Sequence, residues 1–429
     1  VPKENLAAEV VTVERIAPGG DGIARLSGGE IVFVPGTAPG DEIELGPITR
    51  SKGIARVAIQ RLLKPGPGRV APPCTHAERC GGCDFMHLSL DAQRKAKLEM
   101  LQDALRRVGD NRHANTPIGF VHSDDTLGYR SRVRLHVSQN GEVGFLAARS
   151  KQVVPIDQCP VSSARVNAAL SLLAHAGDGV RKLLSFCERI ELRQADAAPY
   201  LIARLTPKPH AQLTAERYTP LFPVGTEVLV AGQPEEDRAL QHYRLPGDIE
   251  MVAPAGSFTQ VNQQVNRMLV AAVLEAAERY GACSFLDAYA GAGNFTLPLL
   301  ASGLRGEALD VHAAGIYAAR SAARDRGLPF DGFQVGDARK LIESLVRSKR
   351  RFDLVLLDPP REGSKDVLPT ALQLKPKLLL LVACDPVALA RDLKTVVAAG
   401  GHVEALTIFD MFPHTHHFET LAVIEMETQ

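Results

Sequence analysis

Short apolar runs rich in β-branched residues alternate with glycine turns over residues 1–63, as in "EVVTVERIAPGGDGIARLSGGEIVFVPGTAPGDEIEL". Gly19-Gly20-Asp21-Gly22 and Ser27-Gly28-Gly29 read as hairpin turns, because glycine takes positive φ without strain. Closely spaced short strands of this kind predict a small barrel. A Pro/Gly stretch, "KPGPGRVAPP" at 64–73, reads as a stiff linker. "LDAQRKAKLEMLQDALRRVG" (90–109) repeats its apolar positions at a helical period and stops at Gly109. Residues 128–250 read mainly as strands with one helix near 162–176. From 251 the period changes. A helix over "NQQVNRMLVAAVLEAAERYG" is followed by short apolar strands alternating with helices: "SFLDAYAG", "RGEALDVH", "PFDGFQVGD", "FDLVLLDPP" and "LLLLVACDP". "HVEALTIFDMF" and "ETLAVIEME" close the chain as a strand pair. Strand–helix alternation predicts a parallel, doubly wound sheet whose ligands sit at the carboxyl ends of its strands.

A chain of 429 residues exceeds one ordinary core of about 100–200 residues and so predicts several domains. Its 49 basic and 49 acidic side chains cancel, so any nucleic-acid site must come from a local patch. "VPKENLAAEV" has no secretory pattern, and no apolar run approaches the ~18 residues of a membrane span. These features set the expectation of a cytoplasmic monomer with no membrane partner. Seven cysteines are an odd number, and three fall within 74–83, which suits metal binding better than disulfides.

Three groups of residues carry candidate chemistry. Cys74, Cys80 and Cys83 lie in a glycine-bearing loop, and Cys159 in "IDQCPV" supplies a fourth thiol; four thiolates can hold zinc or an iron–sulfur cluster. Gly291 and Gly293, in "FLDAYAGAGNF", let the backbone pass close to a ligand. Thr296 stands where a dinucleotide fingerprint has its third glycine. Asp310, Asp337 and Asp358 close successive strands, a row of acids suited to a ligand with a ribose and a positive centre, such as S-adenosylmethionine. Asp358-Pro359-Pro360-Arg361 resembles the D/N-P-P-Y/F motif of amino-group methyltransferases, with Arg361 in place of the aromatic. The third group pairs Cys384, at the exit of the apolar strand "LLLLVA", with Glu419 at the head of the last strand. A pyrimidine C5 needs activation before it can accept a methyl group. A thiolate adding at C6 supplies that activation, and a base must then remove the C5 proton. The site is therefore expected to hold something that favours the Cys384 thiolate. His414, His416 and His417 read as hydrogen-bonding or RNA-facing rather than metal-binding.

Taken together, these residues resemble the RNA 5-methyluridine methyltransferases, and within them the branch that modifies large-subunit ribosomal RNA. "GGDGIARLSGGEIVFVPGTAPGDEIEL" is similar to a TRAM domain, and "CTHAERCGGCDFMHL" with "IDQCPV" to the family's [4Fe-4S] loop. "FTQVN", "LDAYAGAGNF", "GDA" and "DPPREG" match its cofactor motifs. The resemblance implies a multidomain fold of three parts. These are an N-terminal OB-like barrel (1–63), a central mainly-β iron–sulfur domain (64–90 and 125–250), and a C-terminal α/β Rossmann-like methyltransferase (251–429), with 91–124 packed on it. It implies cluster ligands Cys74, Cys80, Cys83 and Cys159, and an S-adenosylmethionine site formed by Gln260, Tyr289, Gly291, Gly293, Asn294, Asp310, Asp337 and Asp358. It also implies Cys384 as nucleophile, Glu419 as base and Asp358 beside the uracil. Four positions depart from the commonest pattern: Thr259, Ala290, Asp310 and Asp385. Asp385 adds negative charge beside a thiolate and needs neutralising. The target uridine has to be flipped or taken from a loop. Arg130, Arg132 and Arg134, on one strand face by their two-residue period, are candidate RNA contacts. Arg149, Lys151, Arg94, Lys95 and Lys97 would extend that patch to phosphates, and Tyr129 would stack on a base. Alternatives are a transfer-RNA T-loop target, an amine methyltransferase, and a non-catalytic RNA-binding or cluster-sensing module.

Overall fold

Glycine turns and alternating apolar positions fold the N-terminal stretch into a seven-stranded sheet, antiparallel except for one bridge. The computed structural model describes residues 9–51, 53–109 and 116–427, with a two-residue strand Lys3–Glu4. Most of the opening segment read above for a leader, and residues 110–115 of the segment 91–124, lie outside the described residues. Gly20 and Gly29 occupy φ 84° and 82° at the hairpin tips, a conformation that costs other residues. The long strands Glu42–Ser51 and Ile54–Lys64 pair with three register shifts, and such bulges bend a ribbon. Val13, Val32, Val34, Ile43 and Leu45 fill the interior. The Pro/Gly segment that follows is stapled down rather than free. Asp41, wholly buried, accepts from the Gly66 amide at 2.8 Å and the Arg69 guanidinium at 2.6 Å.

The central sheet has six strands, in the spatial order Val153–Pro155, Val143–Leu146, Arg132–Val137, Cys187–Gln194, Leu201–Pro207 and Thr226–Val230. The last pair is parallel and the rest antiparallel. The helix Ala164–Ala174, capped by Ser163, packs Leu170 and Leu173 against Leu135, Ile190 and Leu205. A second helix, Asp178–Leu184, follows it where periodicity predicted only one. It is a single short element whose apolar positions cannot define a period.

The catalytic sheet has eight strands: β1 (Ile118–Val121), β2 (Ser284–Ala288), β3 (Arg305–Asp310), β4 (Phe333–Val335), β5 (Leu354–Leu357), β6 (Leu378–Ala383), β7 (Gly401–Phe409) and β8 (Glu419–Met426). Their order is β4-β3-β2-β5-β6-β8-β7-β1. All neighbours are parallel except β8, which runs against both β6 and β7. Strand order reverses between β2 and β5, so a ligand crevice opens there. Strands β5 and β6 are buried on both faces, which is why they read as unbroken apolar runs. One face is covered by α1 (Leu90–Arg107) and α4 (Pro386–Ala398), whose Met100, Leu101, Leu393 and Val396 share a core with Leu357 and Leu379. The other face is covered by α2 (Gln263–Arg279) through Val265, Leu269 and Val273. Ile16 and Ala38 of the barrel, and Phe85 and Leu88 after the cysteine loop, join the first of these cores. The three modules are thus packed together by apolar contact. Among the described residues no helix is long and apolar enough to cross a membrane.

Candidate active site

Register places the reacting groups before any side chain is considered. Ala383, the last residue of β6, pairs with Thr420 of β8. Cys384 and Glu419 therefore occupy the next rung, one at a strand exit and the other at a strand entry. Leu357 pairs with Ala288 on one side and Leu381 on the other, so Asp358 emerges between Tyr289 and Val382. The antiparallel β8 thus delivers its first residue to the edge where the parallel strands end.

This edge is crowded with groups that hold protons tightly. Burial pushes the Asp358 carboxyl up to about 7. Glu419, 6 % exposed, is raised well above the carboxylate range by burial and by the Asp358 charge. Asp287, buried at the end of β2, is pushed up to about 7 by burial, despite a 2.5 Å hydrogen bond from the Thr296 hydroxyl. The site holds one group of the kind expected to favour the Cys384 thiolate, Arg361, but opposing influences outweigh it. Burial, then the Glu419 and Asp358 charges, push Cys384 up to about 12, with Arg361 the group that pulls it down. A half-buried thiol between two acids rests protonated. Asp385 is only partly offset, and its charge also pushes the Cys384 thiol up. It caps α4, accepting from the Val387 and Ala388 amides at 3.0 and 2.9 Å, and pairs with Arg361 at 3.8 Å.

The glycine turn after β2 is held open beside these groups. Tyr289 adopts φ 73°, unusual for a side-chain-bearing residue and a form of strain that clusters at ligand sites. Gly291 (φ 57°) has open space where a Cβ would be, whereas a Cβ at Gly293 would meet Leu297 at 2.9 Å. Asp310 accepts from the Gly291 and His312 amides at 2.8 and 2.7 Å, so its carboxylate ties the turn to β3. Asn294 makes a reciprocal amide pair with Asn266 of α2 at 2.8 and 3.0 Å. Gln260 is buried with its side-chain oxygen lacking a protein partner. Asp337 does not end β4 as read. It lies two residues beyond Val335, exposed, and caps α3 (Ala338–Arg347) through the Lys340 amide. Tyr289 and Asp337 nevertheless line the same cavity of about 600 Å³, with Pro360 and Gly363 as its other wall. Sequence reasoning missed Asn266, Asp287 and the role of Arg361. An acid within an apolar strand was the available signal for Asp287; Asn266 carries none.

Cys74, Cys80, Cys83 and Cys159 are free thiols lining one cavity of about 170 Å³. Among the described residues no three His, Cys, Asp or Glu side chains sit close enough for a single metal ion. Arg130 and Arg134 line that cavity too, and Arg134 also lies 3.5 Å from Glu191. Arg132 leans on the Phe258 ring, 5.1 Å from its centroid. The wider phosphate patch fails at two places. Lys97 is wholly buried, donating to Asp410 at 2.5 Å and to the Phe412 carbonyl at 3.0 Å. Arg149 is bound to Asp21 of the barrel at 2.6 Å. Tyr129, read as a base-stacking residue, donates its hydroxyl to the Pro413 carbonyl at 3.0 Å.

The chain is similar to known RNA methyltransferases along nearly its whole length. Residues 338–427 match the family model described as tRNA (Uracil-5-)-methyltransferase, and residues 9–45 match that of the TRAM domain. A 23S rRNA (uracil(1939)-C(5))-methyltransferase of Klebsiella pneumoniae (strain 342) is 32% identical over 97% of this chain and 95% of its own length. Its counterpart in Shewanella sediminis (strain HAW-EB3) is 32% identical over 99% and 97%. Among solved structures, the Pyrococcus abyssi tRNA (uracil-54, C5)-methyltransferase in complex with S-adenosyl-L-homocysteine superposes with a TM-score of 0.76 at 25% identity, covering 97% of this chain and 99% of that one.

Proposed function

This chain belongs to the RNA (uracil-5-)-methyltransferase family, S-adenosylmethionine-dependent enzymes acting on uracil C5 in RNA, and from that premise we propose that its own target is a uridine of 23S ribosomal RNA. The observation that carries the chemistry is the shared rung of Cys384 and Glu419, with Asp358 emerging from β5, the neighbour of β6 on its other side. The near-full-length relatives named for 23S rRNA support the ribosomal target. The structural neighbour named for tRNA supports a T-loop uridine as the second reading.

S-adenosylmethionine supplies an electrophilic sulfonium methyl. The rest falls to the chain. Cys384 Sγ adds to C6 of the flipped uracil, and Asp358, a stronger base than an ordinary carboxylate, takes the thiol proton. The electron pair displaced from the C5–C6 bond makes C5 nucleophilic, and C5 takes the methyl. Glu419 then removes the C5 proton, the C5–C6 double bond re-forms, and Cys384 leaves. Gln260, Tyr289, Gly291, Gly293, Asn294, Asp310 and Asp337 would hold the cofactor; Tyr289 and Asp337 lining one cavity and the unpartnered Gln260 oxygen, an acceptor waiting for a donor, support that reading.

Cys74, Cys80, Cys83 and Cys159 would hold a [4Fe-4S] cluster. The four thiols converge on one cavity without closing to single-ion spacing. One zinc at Zn–S distances of about 2.3 Å would need tighter convergence. Arg130 and Arg134 offer counter-charge to an anionic cluster. No step of the methyl transfer passes through it.

The test is methylation of deproteinised total RNA with labelled cofactor, followed by mapping of the product. Label in 5-methyluridine of 23S rRNA is expected. Label in the T-loop selects the second reading, and label on a nitrogen rejects the C5 chemistry.

A further inference from the structure

Glu419 is delivered by the loop 410–418, and that loop makes its polar contacts with parts of the chain that have no evident role in the reaction. Asp410 and the Phe412 carbonyl are held by Lys97 of α1 at 2.5 and 3.0 Å. Pro413 accepts from the Tyr129 hydroxyl. The His414 amide donates to the Gln93 side chain at 2.8 Å, and the His414 carbonyl accepts from the Phe85 amide at 2.9 Å. Asp84, next to Cys83, closes the series. One of its carboxylate oxygens accepts from the His416 amide at 3.0 Å, and the other is bonded to the His416 ring. The His416 ring lies against that of His417, centroids 3.9 Å apart and planes tilted by 41°. Phe418 and Phe85 are buried in one core. Two residues beyond His417 comes the base itself.

Resting on the Cys384/Glu419 reading, we propose that Asp84 and His416 are positioning residues for the catalytic base, and that the cysteine loop is thereby part of its mount. Proton abstraction is the step that needs Glu419 aimed within hydrogen-bond reach of C5–H. Cys384 addition and cofactor binding rely on β6 and the glycine turn, whereas the hydrogen bonds of Asp84 go to His416. Loss of the Asp84–His416 contact should therefore slow the last chemical step selectively.

The experiment uses full-length protein with its iron content measured. Asp84→Ala is expected to lower kcat on the order of 10²-fold, as a misplaced catalytic group does, with KM for RNA and cofactor little changed. A denaturation-resistant protein–RNA adduct should accumulate with ordinary RNA. Capture by 5-fluorouridine RNA needs no proton abstraction and should proceed at the wild-type rate. Asp84→Asn, which retains an acceptor for the His416 amide, should restore most of the turnover. His416→Ala, remote in sequence from the cysteines, should repeat the Asp84→Ala pattern and so separates mounting from damage to the cysteine loop. Normal turnover of Asp84→Ala or of His416→Ala, capture that slows in step with turnover, or Asp84→Asn as slow as Asp84→Ala overturns the proposal. A wild-type enzyme that is not captured at all overturns the Cys384 reading instead.

Discussion

Cys384 illustrates how much of a residue's chemistry belongs to its neighbours. Its place at a strand exit is visible in the chain, but the thiol's resistance to ionisation, up to about 12, comes first from burial and then from Glu419 and Asp358, which are close only in the folded sheet. Cys384→Ala should abolish methyl transfer while leaving cofactor binding intact, as measured by labelled-methyl incorporation and by equilibrium binding. Glu419→Gln should lower turnover by about 10²–10⁴-fold, the usual contribution of a general base, and accumulate the covalent adduct. The working form of Glu419 is the ionised one. Because its pKa is raised in the folded protein, that form grows in as pH rises, so kcat should still climb with pH well above the range in which an ordinary carboxylate ionises. An ordinary carboxylate at 4.5 would give a profile flat across neutrality, and such a profile would contradict the assignment. Arg361, which the sequence shows only as an exception to an aromatic motif, is the cation beside the thiol. Arg361→Gln should slow capture of 5-fluorouridine RNA, since addition then lacks the one charge that favours the thiolate.

At the level of elements, α1 shows where pattern reading succeeds and where it stops. Its limits and its amphipathic character are legible, and Gly109 stands just past its end as expected, while the Ser89 cap is a feature that the structure adds. Lys97 was read as a solvent-facing charge because lysine on a basic helix face usually is. Instead it is wholly buried against Asp410, a partner 313 residues away in sequence. Removing one member of such a pair strands the other charge, so Lys97→Met should destabilise the fold by about 3–5 kcal/mol. The check is a lowered thermal midpoint, with part of the loss recovered in Lys97→Met/Asp410→Leu. Asp337 and Asp385 make a related point. The first reads as an acid at a strand end and the second as a charge beside the thiolate, and both are spent in part on capping α3 and α4, a duty that spacing from the preceding strand does not reveal.

Across the whole molecule, barrel, cysteine loop and catalytic loop meet at one junction. Gly20 lies at a barrel hairpin tip, where a Cβ would stand 2.5 Å from the Asp84 carboxylate and 3.0 Å from the His416 ring. Gly20→Ala should therefore lower turnover by displacing Asp84 and His416, read as adduct accumulation with ordinary RNA. Iron and sulfide assays should return about four of each per chain, and Cys159→Ser should lose them. The sequence alone determined the strand and helix inventory, the glycine turns, and which side chains could carry thiol, base and cluster chemistry. Those follow from period, turn geometry and residue type, all local quantities. Tertiary structure decided the antiparallel insertion of β8 that sets Glu419 beside Cys384, the burial and the Asp358 charge that raise the proton affinity of both, the burial of Lys97, and the tether from Asp84 to His416. Each of these depends on distances between residues far apart in the chain, and distance in space is what local periodicity does not encode.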